Sequence, residues 1–310
     1  MGDLPVFAEP VTRRDFLAKT AAGAAAFLVG GSRWLGALGT VLQDRPKLSV
    51  TDRVRLGKTK VMITRLGLGT GTVGGKLQRD LGVEGFTKLV RHAYDRGLRY
   101  VDTADNYRMH DLVGKAIKGL PREELVVLSK MRIRPDVDVA ADLDRFRREL
   151  DTEYLDIVLI HCAMKPGWPA DLQKMRDGLS AAKDKGVVRA VGVSCHGLPG
   201  LREVAGCEWV EVSLARINHD GTKMDGPTGA WTEPGDQAAG AAEVRKIHDA
   251  GKGVLAMKVM GEGAYKTPEQ RVKAIQYVVK SGIVDAMTIG FKSAEEVDEA
   301  MERINRALNG

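Results

Sequence analysis

The stretch Val101-Asp102-Thr103-Ala104-Asp105-Asn106-Tyr107 sets the organisation of the rest of the chain. It lies between a segment with helical spacing, Val83–Arg96, and a second one that begins near His110. A short apolar run that ends in an aspartate and continues into a polar loop is typical of a strand followed by a βα loop. In parallel α/β proteins these loops carry the reactive side chains. The stretch therefore predicts a strand end with a functional role.

Two later apolar runs end in a similar way. Leu125–Lys130 ends in Ser129-Lys130, and Leu155–His161 ends in a histidine. Because the carboxyl ends of parallel strands meet at one edge of a sheet, we expect the side chains there to lie close together. The three strand ends together supply four candidate side chains: Asp102, Tyr107, Lys130 and His161.

From Val50 onward, apolar runs alternate with segments of helical spacing, after a short hairpin predicted over Val54–Leu56 and Val61–Ile63. The predicted strands are Leu66–Gly69, Tyr100–Asp102, Val126–Lys130, Ile157–His161, Val187–Ser194, Val210–Leu214, Val254–Lys258 and Ala286–Gly290. The predicted helices are Val83–Arg96, Asp111–Lys118, Val139–Leu150, Asp171–Lys185, Pro199–Ala205, Gln237–Ala250, Pro268–Lys280 and Ala294–Ala307. Eight strands that alternate with eight helices predict a parallel sheet closed into a (β/α)8 TIM barrel.

An open doubly wound sheet is the main alternative fold. It requires a Gly-rich turn of G-x-G-x-x-G type that leads directly from the first strand into a helix. The segment Gly69-Thr70-Gly71-Thr72-Val73-Gly74 fits that spacing loosely, but the next predicted helix begins only near Val83. The sequence therefore favours the barrel.

The N-terminal segment has a different character from the rest of the chain. Thr12-Arg13-Arg14-Asp15-Phe16-Leu17-Ala18-Lys19 precedes a weakly apolar, Ala/Gly-rich run from Thr20 to Gly31, and this pattern resembles a bacterial twin-arginine export signal. We expect residues 1–45 to be an export signal and linker, and residues 46–310 to be the barrel. The resemblance implies the export machinery as a partner and a periplasmic or otherwise exported location. A basic N-terminus leading into a surface helix, or a retained anchor, are the alternatives; Arg33 and the many glycines argue against a membrane span.

Composition excludes several classes of protein. The chain is 44% hydrophobic and 28% charged, as in an ordinary globular protein, and its net charge of +6 is mild for 310 residues. It has no basic stripe interleaved with aromatics, so nucleic-acid binding is not expected. The cysteines Cys162, Cys195 and Cys207 lack metal-site or disulfide-framework spacing, and no metal is predicted.

The strand ends resemble the aldo/keto reductase family, over roughly Val50 to the C-terminus. The motifs that carry the resemblance are Asp102-Thr103-Ala104-x-x-Tyr107, Ser129-Lys130, Asp156–His161, Val191-Gly192-Val193-Ser194 and Ile289-Gly290-Phe291-Lys292-Ser293. It implies a barrel closed at its bottom by the opening hairpin. It also implies an NAD(P)(H)-dependent oxidoreductase that interconverts a carbonyl and an alcohol by hydride transfer.

The chemistry of that reaction explains the four side chains. Tyr107 would act as the general acid/base, although a free phenol with a pKa of about 10 is a weak acid. The Lys130 ammonium would favour the phenolate, and Asp102 would hold that ammonium in place. His161 would hydrogen-bond and polarise the substrate oxygen. Each residue alone has an ordinary structural explanation, such as a loop cap or a solvated strand end, but their order on successive strand ends favours the catalytic one.

The resemblance also implies a set of cofactor contacts: Thr70, Gly71, Ser194, Cys195, Lys258, Met260, Gly261, Gly263, Gly290, Lys292, Ser293 and Glu296. Ser194 matches the residue that holds the nicotinamide carboxamide in the family. Its usual Asn partner is Cys195 here, and the family's Gln on the sixth strand has Leu214 as its nearest counterpart. Lys258 would pair with a phosphate or point to solvent; loops after the last two strands commonly form a barrel's phosphate site, which favours the phosphate.

The chain departs from the family at the expected clamp for the 2′-phosphate of NADP. Lys292-Ser293 is present, but Glu296 stands in place of an Arg and Ala300 in place of an Asn. A carboxylate repels a phosphate, whereas it accepts a hydrogen bond from a free ribose hydroxyl. The sequence thus favours NAD(H) slightly and leaves NADP(H) open.

Two functional alternatives remain at this stage. An exported reductase has no obvious pool of free nucleotide, which suggests a retained cofactor that is reduced by one substrate and reoxidised by another.

The loops expected at the rim of the site carry polar side chains, Arg216, Asn218, His219 and Asp220, and a tryptophan for stacking, Trp168 or Trp231. These side chains suit a hydroxyl-rich, sugar-like ligand, or else they belong to ordinary exposed loops. The other alternative is an inactive barrel that acts as an exported binding protein or a membrane-associated protein.

Overall fold

We analysed a computed structural model that describes residues 46–310. Residues 1–45, predicted above to be the export signal and linker, lie outside the described residues. Within the part of the chain that is described, no helix has the length and apolar character needed to cross a membrane.

Eight parallel strands form a closed barrel, as the alternating sequence pattern predicts. The barrel strands are β3 (Leu66–Gly69), β4 (Tyr100–Asp102), β5 (Val126–Arg132), β6 (Leu155–Ala163), β7 (Val188–Cys195), β8 (Val212–Arg216), β9 (Gly253–Met257) and β10 (Ala286–Gly290). They pair in chain order, and β10 pairs with β3 to close the ring. The predicted TIM barrel is confirmed.

The strands are apolar on both faces because each is covered on both sides. Side chains that point into the barrel, such as Leu128, Leu159 and Leu255, form one buried cluster. Side chains that point outward, such as Val127 and Val158, pack with the helices in a second cluster. This double burial explains why the strands read as continuous apolar runs rather than as alternating ones.

Ten helices surround the barrel in the described region: α1 (Lys76–Arg79), α2 (Gly82–Asp95), α3 (His110–Ile117), α4 (Val139–Leu150), α5 (Trp168–Asp171), α6 (Gln173–Asp184), α7 (Leu198–Arg202), α8 (Gln237–Asp249), α9 (Pro268–Ser281) and α10 (Ala294–Asn309). Their ends follow local rules. In α9, Thr267 forms a capping box with Gln270, and Gly282 ends the helix in a left-handed conformation.

A hairpin of β1 (Arg53–Arg55) and β2 (Met62–Thr64) precedes the barrel. Leu56, Val61 and Ile63 belong to the same buried cluster as the barrel interior. Gly57 lies against the start of β9, where an added Cβ would come within 2.2 Å of the Gly253 nitrogen. The hairpin therefore closes the amino-terminal end of the barrel, as predicted.

The structure differs from the sequence prediction in three places. The helix predicted over Asp171–Lys185 is divided at Leu172 into α5 and α6. The strand predicted over Val210–Leu214 is shifted toward the C-terminus and ends at Arg216, because its register is set by pairing with β7 and β9 rather than by hydrophobicity. The short helix α1 is absent from the prediction, because its four residues directly follow two glycines and are too few to show a helical spacing of apolar residues.

Candidate active site

The carboxyl ends of the strands surround a cleft with a cavity volume of about 570 Å³. Asp102, Tyr107 and Lys130 all line it. His161 is buried beside them, and its ring lies edge-on to the Tyr107 ring with 5.5 Å between centroids. The four side chains proposed from the strand ends are thus brought together in space.

Lys130 and Asp102 form a buried ion pair. Lys130 Nζ donates to Asp102 Oδ1 at 2.5 Å and to the Thr103 carbonyl at 2.9 Å, while Tyr100 donates its hydroxyl hydrogen to Asp102 Oδ2 at 3.2 Å. Burial by itself would lower the pKa of Lys130, but Asp102 and Tyr107 outweigh it and raise that pKa. The ammonium therefore stays charged although its side chain is buried.

Tyr107 is positioned by a single turn of 3-10 helix, Asp105–Tyr107. Arg145 on α4 holds this turn through Asp105 at 2.9 Å, and the Arg79 guanidinium donates to the Tyr107 carbonyl. Burial raises the pKa of the Tyr107 phenol, and the Lys130 ammonium, 4.9 Å from the ring centroid, opposes that rise. The predicted influence of Lys130 has the expected direction, although burial exceeds it in this state of the protein.

His161 is a neutral imidazole in this site. Burial, and then the positive charges of Lys130 and Lys258, lower its pKa to about 3. A neutral imidazole keeps one N–H for donation to an oxygen without titrating near neutral pH. This is the state needed to polarise a carbonyl.

One buried hydroxyl at the carboxyl end of β7 suits a nicotinamide nucleotide. Gly71 and Gly290, by contrast, are packed against other side chains, because an added Cβ would come within 2.6 Å of the Tyr107 ring and within 2.1 Å of Thr72 Oγ1. The Ser194 hydroxyl oxygen is buried without a hydrogen-bond partner within the described residues. A buried polar atom of this kind is suited to a ligand amide such as the carboxamide.

Lys258 does not point freely into the cleft. Its ammonium pairs with Glu262 at 2.8 Å, and both residues have left-handed backbone conformations, with φ of 58° and 56°. Such conformations cost about 1 kcal/mol or more for residues with a Cβ. The ion pair fixes the shape of this strained loop over the cleft, and a phosphate would have to compete with Glu262 for Lys258.

The far end of the cleft carries mixed charges. The Glu296 carboxylate accepts the Lys292 backbone N–H at 2.9 Å, and it lies 3.6 Å from Lys292 Nζ. Arg271 and Arg303 also line this end, and both pair with Glu299, at 2.9 and 2.6 Å. Lys292, just before the start of α10, therefore holds the Glu296 carboxylate at the cleft.

The predicted cofactor residues divide into two groups. Those that line the cleft are Gly71, Lys258, Met260, Gly263, Gly290, Lys292 and Glu296. Those that do not line it are Thr70, Ser194, Cys195, Gly261 and Ser293. Thr70 donates to the Asp102 carbonyl at 3.0 Å, and Ser293 caps α10. The Cys195 side chain packs in the outer core among the helices, so only its backbone faces the site.

One residue that lines the cleft has no place in the sequence predictions. His196 follows Ser194 and Cys195 at the end of β7, and it is buried beside Cys162 and His161. Within residues 46–310, these three side chains form a group whose potential metal-ligand atoms all lie within 4.8 Å of one another. The nearby cations Lys130, Lys258 and Arg216 disfavour a divalent metal ion there. That no metal is used stays a prediction.

Both the sequence and the fold of this chain are similar to those of known aldo/keto reductases. The sequence model of the aldo/keto reductase family matches residues 65–225, just over half of the chain. Glycerol 2-dehydrogenase (NADP(+)) of Saccharomyces cerevisiae is 37% identical over 113 residues, covering 34% of each chain. The NADH-specific methylglyoxal reductase of Escherichia coli is 28% identical over 180 residues, covering 49% of this chain and 54% of that one.

The chain thus spans between about a third and just over half of the length of these curated relatives. Among solved structures, the holo form of an aldo-keto reductase from Bacillus halodurans superposes with a TM-score of 0.63 at 16% identity, covering 83% of this chain and 95% of that one. That likeness supports the fold alone. By the match of its own sequence over residues 65–225, the chain belongs to the aldo/keto reductase family.

Proposed function

We propose that the protein is an NAD(P)(H)-dependent oxidoreductase that interconverts a carbonyl and an alcohol. The observation that carries this proposal is the buried Lys130–Asp102 ion pair beside Tyr107 in the cleft. A buried ion pair is a weak source of stability, so its presence at a cleft next to an ionisable phenol is better explained by catalysis than by folding.

In carbonyl reduction, Tyr107 donates its phenolic proton to the substrate oxygen, and in alcohol oxidation it takes that proton back. Lys130 stabilises the phenolate that remains, and Asp102 keeps the ammonium charged and in position. The neutral His161 donates a hydrogen bond to the same oxygen as negative charge develops on it. When bound, the nicotinamide supplies or accepts the hydride. The Ser194 hydroxyl, which has no hydrogen-bond partner within the described residues, is available for its carboxamide.

NAD(H) is the favoured nucleotide in this proposal. Glu296 places a carboxylate at the end of the cleft, where it favours a free ribose hydroxyl over a phosphate. The two guanidinium groups at that end, of Arg271 and Arg303, share Glu299 and are partly neutralised. The relatives compared above include one NADP(+) enzyme and one NADH-specific enzyme, so relatives alone do not decide the nucleotide.

A small, oxygen-rich substrate of sugar-like character suits the site. The relatives are named for glycerol and for methylglyoxal, both of which carry oxygens on adjacent carbons. The site also presents neutral imidazoles and the exposed Trp231 rather than a deep apolar pocket. These features support polyhydroxylated carbonyl compounds as the substrate class.

We also propose that the protein is exported by the twin-arginine route with its cofactor already bound. The support is the Arg13-Arg14 pair followed by Phe16-Leu17. Twin-arginine export carries folded proteins, so a nucleotide bound in the cleft could leave the cell with the barrel. If the cofactor stays bound after export, one substrate would reduce it and another would reoxidise it. Exchange of labelled free nucleotide as fast as turnover would contradict retention.

The test is to purify the full chain, denature it and identify any released nucleotide by mass. NAD or NADP in near-stoichiometric amount, with carbonyl reduction by the intact protein, is the expected result. A protein that carries no nucleotide and binds neither NAD(H) nor NADP(H) would overturn the oxidoreductase proposal. It would favour instead an inactive barrel that binds a ligand, an alternative supported by Leu214 in the cleft where the family has an amide.

A further inference from the structure

His196 presents a hydrogen-bond donor to the active site that the reaction described above does not use. Its ring lines the cleft together with Tyr107 and Lys130. The side chain is buried, and burial, followed by the positive charge of the Arg216 guanidinium, lowers its pKa well below the usual value. The imidazole is therefore neutral and has one N–H to donate.

Arg216 determines which ring nitrogen carries that hydrogen. The Arg216 guanidinium contacts His196 Nδ1. Because a guanidinium can only donate, Nδ1 must accept, and the neutral ring then carries its hydrogen on Nε2. Arg216 is itself only 8% exposed and is held by Asp225 at 3.5 Å, and Asp225 also accepts the Gly197 backbone N–H at 2.7 Å. Two buried side chains, Arg216 and Asp225, thus fix the tautomer of His196.

The fixed N–H faces a weak acceptor. His196 Nε2 lies 3.6 Å from Cys162 Sγ, and burial raises the pKa of the Cys162 thiol to about 11, so the sulfur is not a thiolate. A thiol sulfur accepts hydrogen bonds poorly. A substrate oxygen would be a better partner for this N–H than the sulfur is.

His196 is also part of a continuous wall that begins at the proton donor. The Tyr107 and His161 rings are 5.5 Å apart between centroids, His161 and His196 are 6.1 Å apart, and His196 and Trp231 are 4.9 Å apart. Trp231 is 62% exposed. The wall leads from the reacting centre toward solvent, so the part of a substrate next to its carbonyl lies beside His196.

We propose that His196 donates its Nε2–H to a second substrate oxygen, carried by the carbon next to the reacting carbonyl. One ring nitrogen of His161 and one of His196 lie within 4.8 Å of each other. Hydrogen bonds of about 2.9 Å from two donors at that spacing converge on oxygens of adjacent carbons. The inference rests on the proposed function and narrows its substrate class to α-hydroxycarbonyl compounds and 1,2-dicarbonyl compounds. Arg216 and Asp225 act as positioning residues.

The test compares two isomeric aldehydes, 2-hydroxypropanal and 3-hydroxypropanal, with propanal as the reference. We expect kcat/KM of the wild-type protein to be about tenfold higher for the 2-hydroxy isomer than for the 3-hydroxy isomer, which corresponds to one hydrogen bond. His196→Phe keeps a ring against Trp231 and removes the donor, so this ratio should fall to near one. His196→Gln keeps an N–H and should retain part of the ratio. His248→Phe and His248→Gln on the exposed face of α8 are the matched controls and should keep the wild-type ratio.

Three outcomes would overturn the inference. A wild-type protein that reduces both isomers equally has no subsite for an adjacent oxygen. An unchanged ratio in His196→Phe, with reduction of propanal still measurable, would remove His196 from substrate recognition while leaving the oxidoreductase proposal intact. Absence of reduction of all three aldehydes by a wild-type protein with bound nucleotide would contradict the proposed function itself, and this inference with it.

Discussion

Lys130 Nζ lies 2.5 Å from Asp102 Oδ1, although the two residues are 28 positions apart on neighbouring strands. The Lys130 side chain is 1% exposed, so neither charge is solvated by water. Removing one partner of such a pair leaves an isolated buried charge, which typically costs about 3–5 kcal/mol. In the proposed function, the stability of the barrel and the chemistry at Tyr107 are therefore coupled through this pair.

Lys130→Met should both destabilise the protein and abolish carbonyl reduction. We expect the free energy of unfolding to fall by about 3 kcal/mol, because Asp102 would be left buried without its cation. The double variant Asp102→Asn/Lys130→Met should recover part of that stability but none of the activity. Urea unfolding and steady-state kinetics of the two variants would measure both effects. A double variant as active as the wild type would remove the ion pair from the mechanism.

Tyr107→Phe should lower kcat by about 10²- to 10⁴-fold, the usual contribution of a positioned general acid. The phenyl ring preserves the edge contact with His161, so the fold and nucleotide binding should be retained. Fluorescence titration with nucleotide and kinetics with an aldehyde would separate binding from chemistry. Tyr154→Phe, just before β6 at the opposite end of the barrel, is the control. Equal activity of both variants would show that Tyr107 is not the proton donor.

Glu296→Arg should shift nucleotide preference toward NADPH. The change replaces a carboxylate at the end of the cleft by a guanidinium that can pair with a 2′-phosphate. We expect the ratio of kcat/KM for NADPH to that for NADH to rise by about tenfold or more. Glu295→Arg, in the same first turn of α10, controls for the change in net charge. A similar rise in both variants would indicate a general field effect rather than a contact.

Acidification below about pH 6.5 should destabilise the protein. His110, His161 and His196 all have a pKa lowered first of all by burial, to about 3 for His161. As the pH falls through the unfolded-state value of about 6.5, the unfolded chain binds protons that the folded chain does not, so the free energy of unfolding decreases. One such histidine contributes at most about 1.4 kcal/mol per pH unit. Urea unfolding between pH 7.5 and 5 would measure the slope, and it should be shallower in His161→Gln. A free energy of unfolding that increases as the pH falls from 7.5 to 5 would contradict the lowered pKa values of these histidines.

Much of the fold could be predicted from the sequence because it depends on local and repetitive signals. The strand runs are apolar over their whole length, and glycines or capping residues stand at many helix ends, so the number and order of the barrel strands follow from the chain. The close approach of Asp102, Tyr107, Lys130 and His161 also follows, because parallel strands in a barrel end at the same edge.

Strand register and pairing across the site could not be predicted in the same way. The hydrophobic pattern ends β8 at Leu214, but the pairing of β8 with β9 extends to Arg216. This pairing buries the Arg216 guanidinium against His196. The sequence predicts Arg216 in a loop after the strand, either as a contact for a hydroxyl-rich ligand or as part of an ordinary exposed loop, and does not single out His196. Nothing in the spacing of Arg216 and His196 along the sequence indicates that their side chains meet. The loop after β8 also brings Asp225 to Arg216 and to the Gly197 backbone N–H.

The sequence by itself determined the barrel, the hairpin before it and the identity of the four side chains at the strand ends, because burial patterns and strand order are encoded along the chain. Only the tertiary structure decided the charge states and orientations in the site. Burial exceeds the effect of Lys130 on the pKa of Tyr107, Glu262 occupies Lys258, and Cys195 faces the helices instead of the cleft. These properties depend on which groups lie within a few ångströms after folding and on how much water reaches them, and neither quantity is written in the local sequence.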